Sequence, residues 1–272
     1  MSVVYSSFSA REASASRHLY GVTPPLVHCM TNQVVQSLTA NILLASSASP
    51  AMVIDLQEAP VMAAHASALL INVGTLTHEA IPAMQAAVES ANRAAVPWTL
   101  DPVAMGVLPL RSDFCRQLLD FSPAVIRGNG SEVLALAGAG KGGRGMDSKD
   151  DSCRAVSAAV QLAADQNCIV VVSGATDYVT DGHLVLTLTG GSPLMTAVTG
   201  TGCGLSALVA AFSTLPGNRL YHVATACWLM SQAAEQAAQQ SRGPGSFSIA
   251  LIDALWQLCQ THRQEGQDNA AN

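Results

Sequence analysis

The chain has 272 residues, of which 49% are apolar and only 12% charged, with a formal net charge of −6 and no basic block. That balance argues against a polybasic groove for nucleic acid or a basic membrane patch, and so little charge reads either as a surface partly covered in a homo-oligomer, the favoured reading, or as an alanine-rich composition with many small neutral residues outside. Seven cysteines, at 29, 115, 153, 168, 203, 227 and 259, form no CxxC pair, which argues against a disulfide framework or a zinc site and fits a reducing compartment.

The opening segment MSVVYSSFSAREASASRHLYG lacks a basic patch followed by an apolar run, so no secretory signal is expected there. No apolar stretch approaches the ~18 residues that span a bilayer. A soluble, cytoplasmic protein is expected. The first predicted strand is Pro25–Met30, after which Asn32 can cap a helix whose inner face is Val34, Val35, Leu38 and Ile42. Further strands are predicted at Ala51–Ile54, Ala68–Gly74, Val96–Asp101 and Ala124–Gly128. Val156, Ala159, Val160 and Ala163 repeat at helical spacing before the strand Cys168–Gly174. Thr180-Asp181-Gly182-His183 reads as a tight turn into the strand His183–Leu188, which makes part of the sheet antiparallel.

From about Gly200 the chain reads as helix, with Val223, Ala226, Cys227 and Met230 on one face, continued by Ala233, Ala234 and Ala237. Gly243-Pro244-Gly245-Ser246 separates the last two helices, with Ser246 as the expected cap, and the polar end of the chain, about 264–272, is expected to fray. LLINVG and CIVVVSG are apolar throughout, as strands covered on both faces of a parallel sheet are. The prediction is one α/β domain over 1–272, with a mainly parallel sheet, helices on both faces and residues 1–20 peripheral.

The most informative motif is Thr199-Gly200-Thr201-Gly202-Cys203-Gly204, directly before the apolar helix LSALVAAF. Glycines at a helix N-terminus expose several backbone N–H groups to an anion, and the helix dipole adds positive potential. Such a turn suits the charge on a transferring phosphoryl group, although glycines also let a helix pack close to its neighbours. Asp101 ends a strand and Pro102 turns the chain out of the sheet, which aims a carboxylate at the crevice where α/β proteins bind ligands. Glu132 follows the next strand; it reads either as a second functional acid or as a first-turn helix acid. Arg127, between the apolar AVI and Gly128, has little structural reason to be there unless it meets an anion. Ser173 closes CIVVVS with a hydroxyl able to reach a phosphate, and Asn129 shares the Arg127 turn.

A late Gly-x-Gly-Cys turn opening a helix resembles the hydroxyethylthiazole kinase branch of the ribokinase-like superfamily, whose other branches usually carry Asp in place of Cys. The strings PLVHCMTN (25–32), SPAM (49–52), INVGTL (71–76), LDPVAMG (100–106), IRGNGSE (126–132), VVSGATDYVTDG (171–182), TGTGCG and GPGSF (243–247) fit that branch in order. The resemblance implies a three-layer α/β/α fold and transfer of the ATP γ-phosphoryl group, with Mg²⁺, to the alcohol of 4-methyl-5-(2-hydroxyethyl)thiazole in thiamine salvage.

It further implies that Cys203, with the amides of Gly200 and Gly202, lies at the chemistry. A thiolate base and an inert thiol are both open readings of Cys203. By the same resemblance Arg127, Ser173, Asn129 and Thr201 face the nucleotide, and Asp101 and Glu132 lie near Mg²⁺. Asn32, Met52, Gly74 and Gly200 surround the thiazole alcohol, although Met52 also reads as core filler and Asn32 as a cap. A trimer with sites between subunits is implied, with Met52 serving a neighbour's pocket. Where the family has Thr, this chain has Ser173, which keeps the hydroxyl. Two other functions remain in view: a ribokinase-like ATP-dependent dehydratase of hydrated nicotinamide nucleotides, and a non-catalytic nucleotide- or thiazole-binding regulator.

Two motifs are set aside. GAGKGGRG (138–145) follows a helix and lacks the Ser or Thr of a phosphate-binding P-loop, so it reads as a surface loop. The seven histidines show no ligand spacing, and His28 reads as a structural residue at a strand end.

Overall fold

The computed structural model describes residues 3–139 and 149–270. The strands are β1 (Val4–Ser7), β2 (Leu26–Met30), β3 (Ser49–Ala51), β4 (Ala68–Asn72), β5 (Trp98–Asp101), β6 (Val125–Asn129), β7 (Ile169–Ser173), β8 (Thr176–Thr180) and β9 (Leu184–Thr189). The helices are α1 (Ala10–Val22), α2 (Gln36–Ala45), α3 (Ala59–His65), α4 (Ala80–Arg93) and α5 (Pro109–Leu119), then α6 (Gly130–Leu136), α7 (Lys149–Gln166), α8 (Thr201–Phe212), α9 (Arg219–Gln240) and α10 (Pro244–Ala270).

All these strands join one sheet in the order β1-β9-β8-β7-β6-β5-β4-β2-β3. Every pairing is parallel except those of β8, which runs antiparallel to β7 and β9. The expected turn makes the β8–β9 connection: Gly182 takes φ +92° and Asp181 Oδ1 accepts the N–H groups of His183 and Leu184, both at 2.9 Å.

The apolar strands divide their side chains between two cores, because successive residues of a strand point to opposite faces. In β4, Ala68 and Leu70 join one core, while Leu69 and Ile71 join the other. In β7 the split is Ile169 and Val171 against Val170 and Val172. The first core is closed by α1, α2, α8, α9 and α10, through residues such as Tyr20, Ile42, Phe212, Met230 and Leu251. The second is closed by α3 to α7, through Ala63, Val88, Phe114, Val133 and Ala159. Two covered faces make the predicted three-layer α/β/α sandwich.

Several local readings need correction. β1 was not anticipated; its serines give no apolar signal, and it holds the sheet edge by pairing with β9. β3 lies two to three residues before the predicted Ala51–Ile54. The helix expected to begin at Asn32 starts at Gln36, and Val34 is 70% exposed instead of facing inward. Ser246 is no cap: α10 begins at Pro244, and the Ser246 hydroxyl accepts the Arg242 N–H at 2.9 Å from within the first turn. His28 sits in mid-strand, fully buried, with Nε2 2.8 Å from the Val53 carbonyl. The run 138–145 lies outside the described residues from position 140 onward.

Candidate active site

Five neighbouring strands, β7-β6-β5-β4-β2, end in one row; Ser173, Asp101, Asn72 and Asn32 stand along it at or just past those ends, and Arg127 lies two residues before the end of β6. The row includes a point where the chain diverges. β2 leads through α2 to β3 on one side, while β4 leads through α4 to β5 on the other, and α2 and α4 pack on opposite faces. Connections that part in this way open a crevice at the carboxyl edge of a parallel sheet. Helix α8 packs over β2, β4, β5 and β6, which brings its N-terminus to that crevice.

Each glycine of the turn has a separate reason. Gly200 takes φ +95°, a left-handed conformation that disfavours a side chain, and a Cβ there would lie 2.6 Å from Val35 Cγ1. A Cβ on Gly202 would meet the Arg127 guanidinium, and one on Gly204 would strike Ile42 of α2. The motif therefore serves close helix packing at Gly204 and keeps the site open at Gly202. The first amides of α8 have no carbonyl partner within the helix and are available to an anion. The Thr201 hydroxyl is held by the Met195 carbonyl, to which it donates at 2.9 Å, which leaves its backbone N–H as the group available to an anion.

On the β7–β6 side, Arg127 Nη2 donates to Ser173 Oγ at 2.6 Å, while Arg127 Nε is buried without a partner. Asp177 stands close by, accepting the Gly174 N–H at 3.0 Å; burial raises its pKa, opposed by that hydrogen bond and by Arg127. Asn129 and Glu132 form a capping box at α6: Asn129 Oδ1 accepts the Glu132 N–H at 3.0 Å, and Glu132 Oε2 accepts the Asn129 N–H at 2.9 Å. Glu132 Oε1 also takes the Ala104 N–H at 3.0 Å, which pins the β5 loop. The helix-acid reading of Glu132 is thus correct; both of its carboxylate oxygens accept backbone N–H groups, and its charge is felt at Asp101.

Asp101 is the buried centre. Its Oδ2 receives Asn72 Nδ2 at 2.6 Å and the Ser206 hydroxyl at 2.8 Å, while Oδ1 is buried without a partner. Burial pushes its carboxyl up to about 7; Glu132 adds to the rise, while Arg127, Ser206 and Asn72 oppose it. That unpartnered oxygen suits a hard cation. Among the described residues no three His, Cys, Asp or Glu side chains gather to enclose a metal. This donor set fits Mg²⁺, which takes one or two carboxylates and completes its shell with phosphate and water.

On the β4–β2 side, Asn32 Nδ2 donates to Asn72 Oδ1 at 3.0 Å and to Cys203 Sγ at 3.3 Å. Gly74 donates its N–H to Asn72 Oδ1 at 2.9 Å, and a Cβ on Gly74 would fall 2.7 Å from Asn32 Nδ2. Cys203 is half-buried. Burial and Asp101 raise its pKa, against the opposing Asn72, Asn32 and Arg127, which favours the thiol over the thiolate. Asn32 serves this network and caps no helix. Met52, past β3, packs partly buried against the first core.

The sequence reading passed over Asn72 and Ser206. Asn72 is the polar residue closing the apolar strand ALLIN, the same signal that singled out Arg127. Ser206 lies three residues after Cys203 in an apolar helix and carries no comparable signal.

The sequence model of the hydroxyethylthiazole kinase family matches residues 20–261. A hydroxyethylthiazole kinase of Escherichia coli (strain K12) is 58% identical over 252 residues, which cover 93% of this chain and 96% of that one. The solved structure of the hydroxyethylthiazole kinase protein from Pyrococcus horikoshii OT3 is similar with a TM-score of 0.83 at 34% identity, covering 92% of this chain and 94% of its own. A ribokinase-like superfamily protein from Enterococcus faecalis V583 aligns with a TM-score of 0.66 at 15% identity, over 94% of this chain and 96% of its own, a likeness of fold.

Proposed function

Since this chain belongs to the hydroxyethylthiazole kinase family, we propose that it transfers the γ-phosphoryl group of ATP to the hydroxyl of 4-methyl-5-(2-hydroxyethyl)thiazole. One observation carries this reading: the N-terminus of α8 stands between an Arg127–Ser173 pair on one side and the Asn32–Cys203 pair on the other. The first pair is suited to phosphates and the second to an alcohol. The transferring group would pass between them.

Phosphoryl transfer goes through a loose transition state, so positioning and electrostatics supply most of the acceleration. The amides of Gly200–Cys203 face the charge on the transferring oxygens, and Arg127 neutralises the triphosphate. Asp101, with Glu132 behind it, would hold Mg²⁺, which would supply positive charge to offset that of the phosphates. Cys203 lies beside the acceptor oxygen as a thiol, in keeping with a proton that leaves the alcohol late. Asn32 and Gly74 shape the acceptor end, and the carboxyl-edge crevice holds both substrates.

A homotrimer and a cytoplasmic location complete the reading. Ile54, Leu56 and Val61 are each more than half exposed on the segment after Met52, and with the low surface charge they support burial by a neighbouring copy. No helix among the described residues is long and apolar enough to cross a membrane. The deciding experiment incubates the purified protein with ATP, Mg²⁺ and the thiazole alcohol and follows products by ³¹P NMR. ADP and the thiazole phosphate in equal amounts are expected. Free phosphate without a phosphorylated acceptor, or no turnover, would overturn the assignment and favour the dehydratase or the regulator.

A further inference from the structure

Asn72 touches both halves of the site, and its orientation is fixed by a backbone group. The Gly74 N–H can only donate, so the Asn72 atom that receives it at 2.9 Å must be Oδ1. Every other direction in the chain of bonds follows. With Oδ1 toward Gly74, Nδ2 points to Asp101 Oδ2 at 2.6 Å. The same Oδ1 accepts one hydrogen of Asn32 Nδ2 at 3.0 Å, which leaves the other for Cys203 Sγ at 3.3 Å. The two hydrogens of that amide are then both committed.

We propose that Asn72 is a positioning residue that ties the acceptor end, through Asn32 and Cys203, to the phosphate end, through Asp101, as one unit. It is 1% exposed and acts only through these neighbours. Two donors, Asn72 and Ser206, converge on Asp101 Oδ2, and this convergence leaves the buried Oδ1 as the one carboxylate oxygen without a protein partner. A displaced Asn72 would release the Asp101 carboxylate and the Asn32 amide together. Ser206 bonds Asp101 and, at 3.4 Å, the Gly202 carbonyl of its own helix, and has no bond to Asn32 or Cys203, so its removal disturbs only the phosphate end.

This inference rests on the proposed kinase reading, and the wild-type assay keeps the two apart: no wild-type turnover refutes that reading, and the same variants are then compared by their dissociation constants for MgATP and for the thiazole alcohol, with the same pattern expected. With an active wild type, steady-state kinetics are measured for Asn72→Ala, Asn72→Asp and Ser206→Ala, with melting curves to establish folding. Asn72→Asp keeps an acceptor for Gly74 and Asn32 but replaces the fixed amide donor to Asp101 with a second carboxyl that must share a proton with it. It and Ser206→Ala are expected to raise KM for MgATP about ten-fold and leave the acceptor KM within about two-fold, since partners of metal-facing groups contribute on that scale. Asn72→Ala is expected to raise both KM values and lower kcat by about 10- to 100-fold. A merely structural Asn72 would lower kcat through lost active protein with both KM values unchanged, and that pattern overturns the proposal. An Asn72→Asp variant that weakens the acceptor as much as MgATP overturns it too. If Asn72→Ala does not fold, the other two variants decide.

Discussion

Gly202 and Arg127 are fitted to each other: a Cβ built on Gly202 would fall 3.0 Å from Arg127 Nη1. Arg127 is in turn held by Ser173 at 2.6 Å. Gly202→Ala should therefore leave the fold intact and push the guanidinium out of place. KM for MgATP is expected to rise about ten-fold, the loss of roughly one good charge-assisted hydrogen bond. A melting temperature within about 2 °C of wild type, on the scale set for a chain this long, would accompany it.

Gly200 is a different case, because its own backbone requires glycine. At φ +95° an alanine loses about 1–2 kcal/mol from the backbone alone, and its methyl group meets Val35 as well. Gly200→Ala should lower the melting temperature by at least about 4 °C and reduce activity with it. Normal stability in that variant would mean the turn is not held as described.

Asp101 couples stability to pH. Its carboxyl is raised to about 7 in the native protein, against about 3.9 in an unfolded chain. Between those values the unfolded chain releases a proton that the native protein keeps, so stability falls as pH rises from about 4 to about 7. Asp101→Asn removes this loss, and its Oδ1 can still accept from Ser206 and Asn72. The variant should melt higher than wild type at pH 8, with the difference shrinking toward pH 4, while turnover falls by about 100-fold or more. An equal difference at both pH values would point to packing and not to charge.

The Cys203 thiol is pushed up by burial and by Asp101. That shift favours the thiol, and the basic form grows as pH rises. Cys203→Ser should keep measurable turnover at pH 7, with a loss smaller than the ~100-fold minimum usually attached to a working general base. Wild-type kcat/KM should climb on the alkaline side, and the variant should lack that limb. Complete loss in a folded Cys203→Ser protein would show that the thiol does more.

How far the sequence foretold this depended on where side chains point. LLIN and IVVV disclosed buried parallel strands because both faces of the sheet are covered, and the strand ends then placed Asp101, Arg127 and Ser173. Asn32 misled because helix caps and buried networks use the same residue type, and only the fold brings it to Asn72, 40 positions away. Ser206 reaches Asp101 across 105 positions, a distance no local pattern can span. β1 was hidden by its serines, since an exposed edge strand has little need of apolar residues.

Neighbouring strands of a sheet lie about 4.8 Å apart, so the four gaps from β7 to β2 extend over about 19 Å. The row of strand ends is therefore a ruler graduated by backbone geometry, along which the proposed reading sets the triphosphate toward one end and the alcohol toward the other. Reshaping the β2 and β3 loops could re-size the acceptor mark without moving the nucleotide mark. A scaffold of this kind can exchange one alcohol for another while its phosphate chemistry stays as it is.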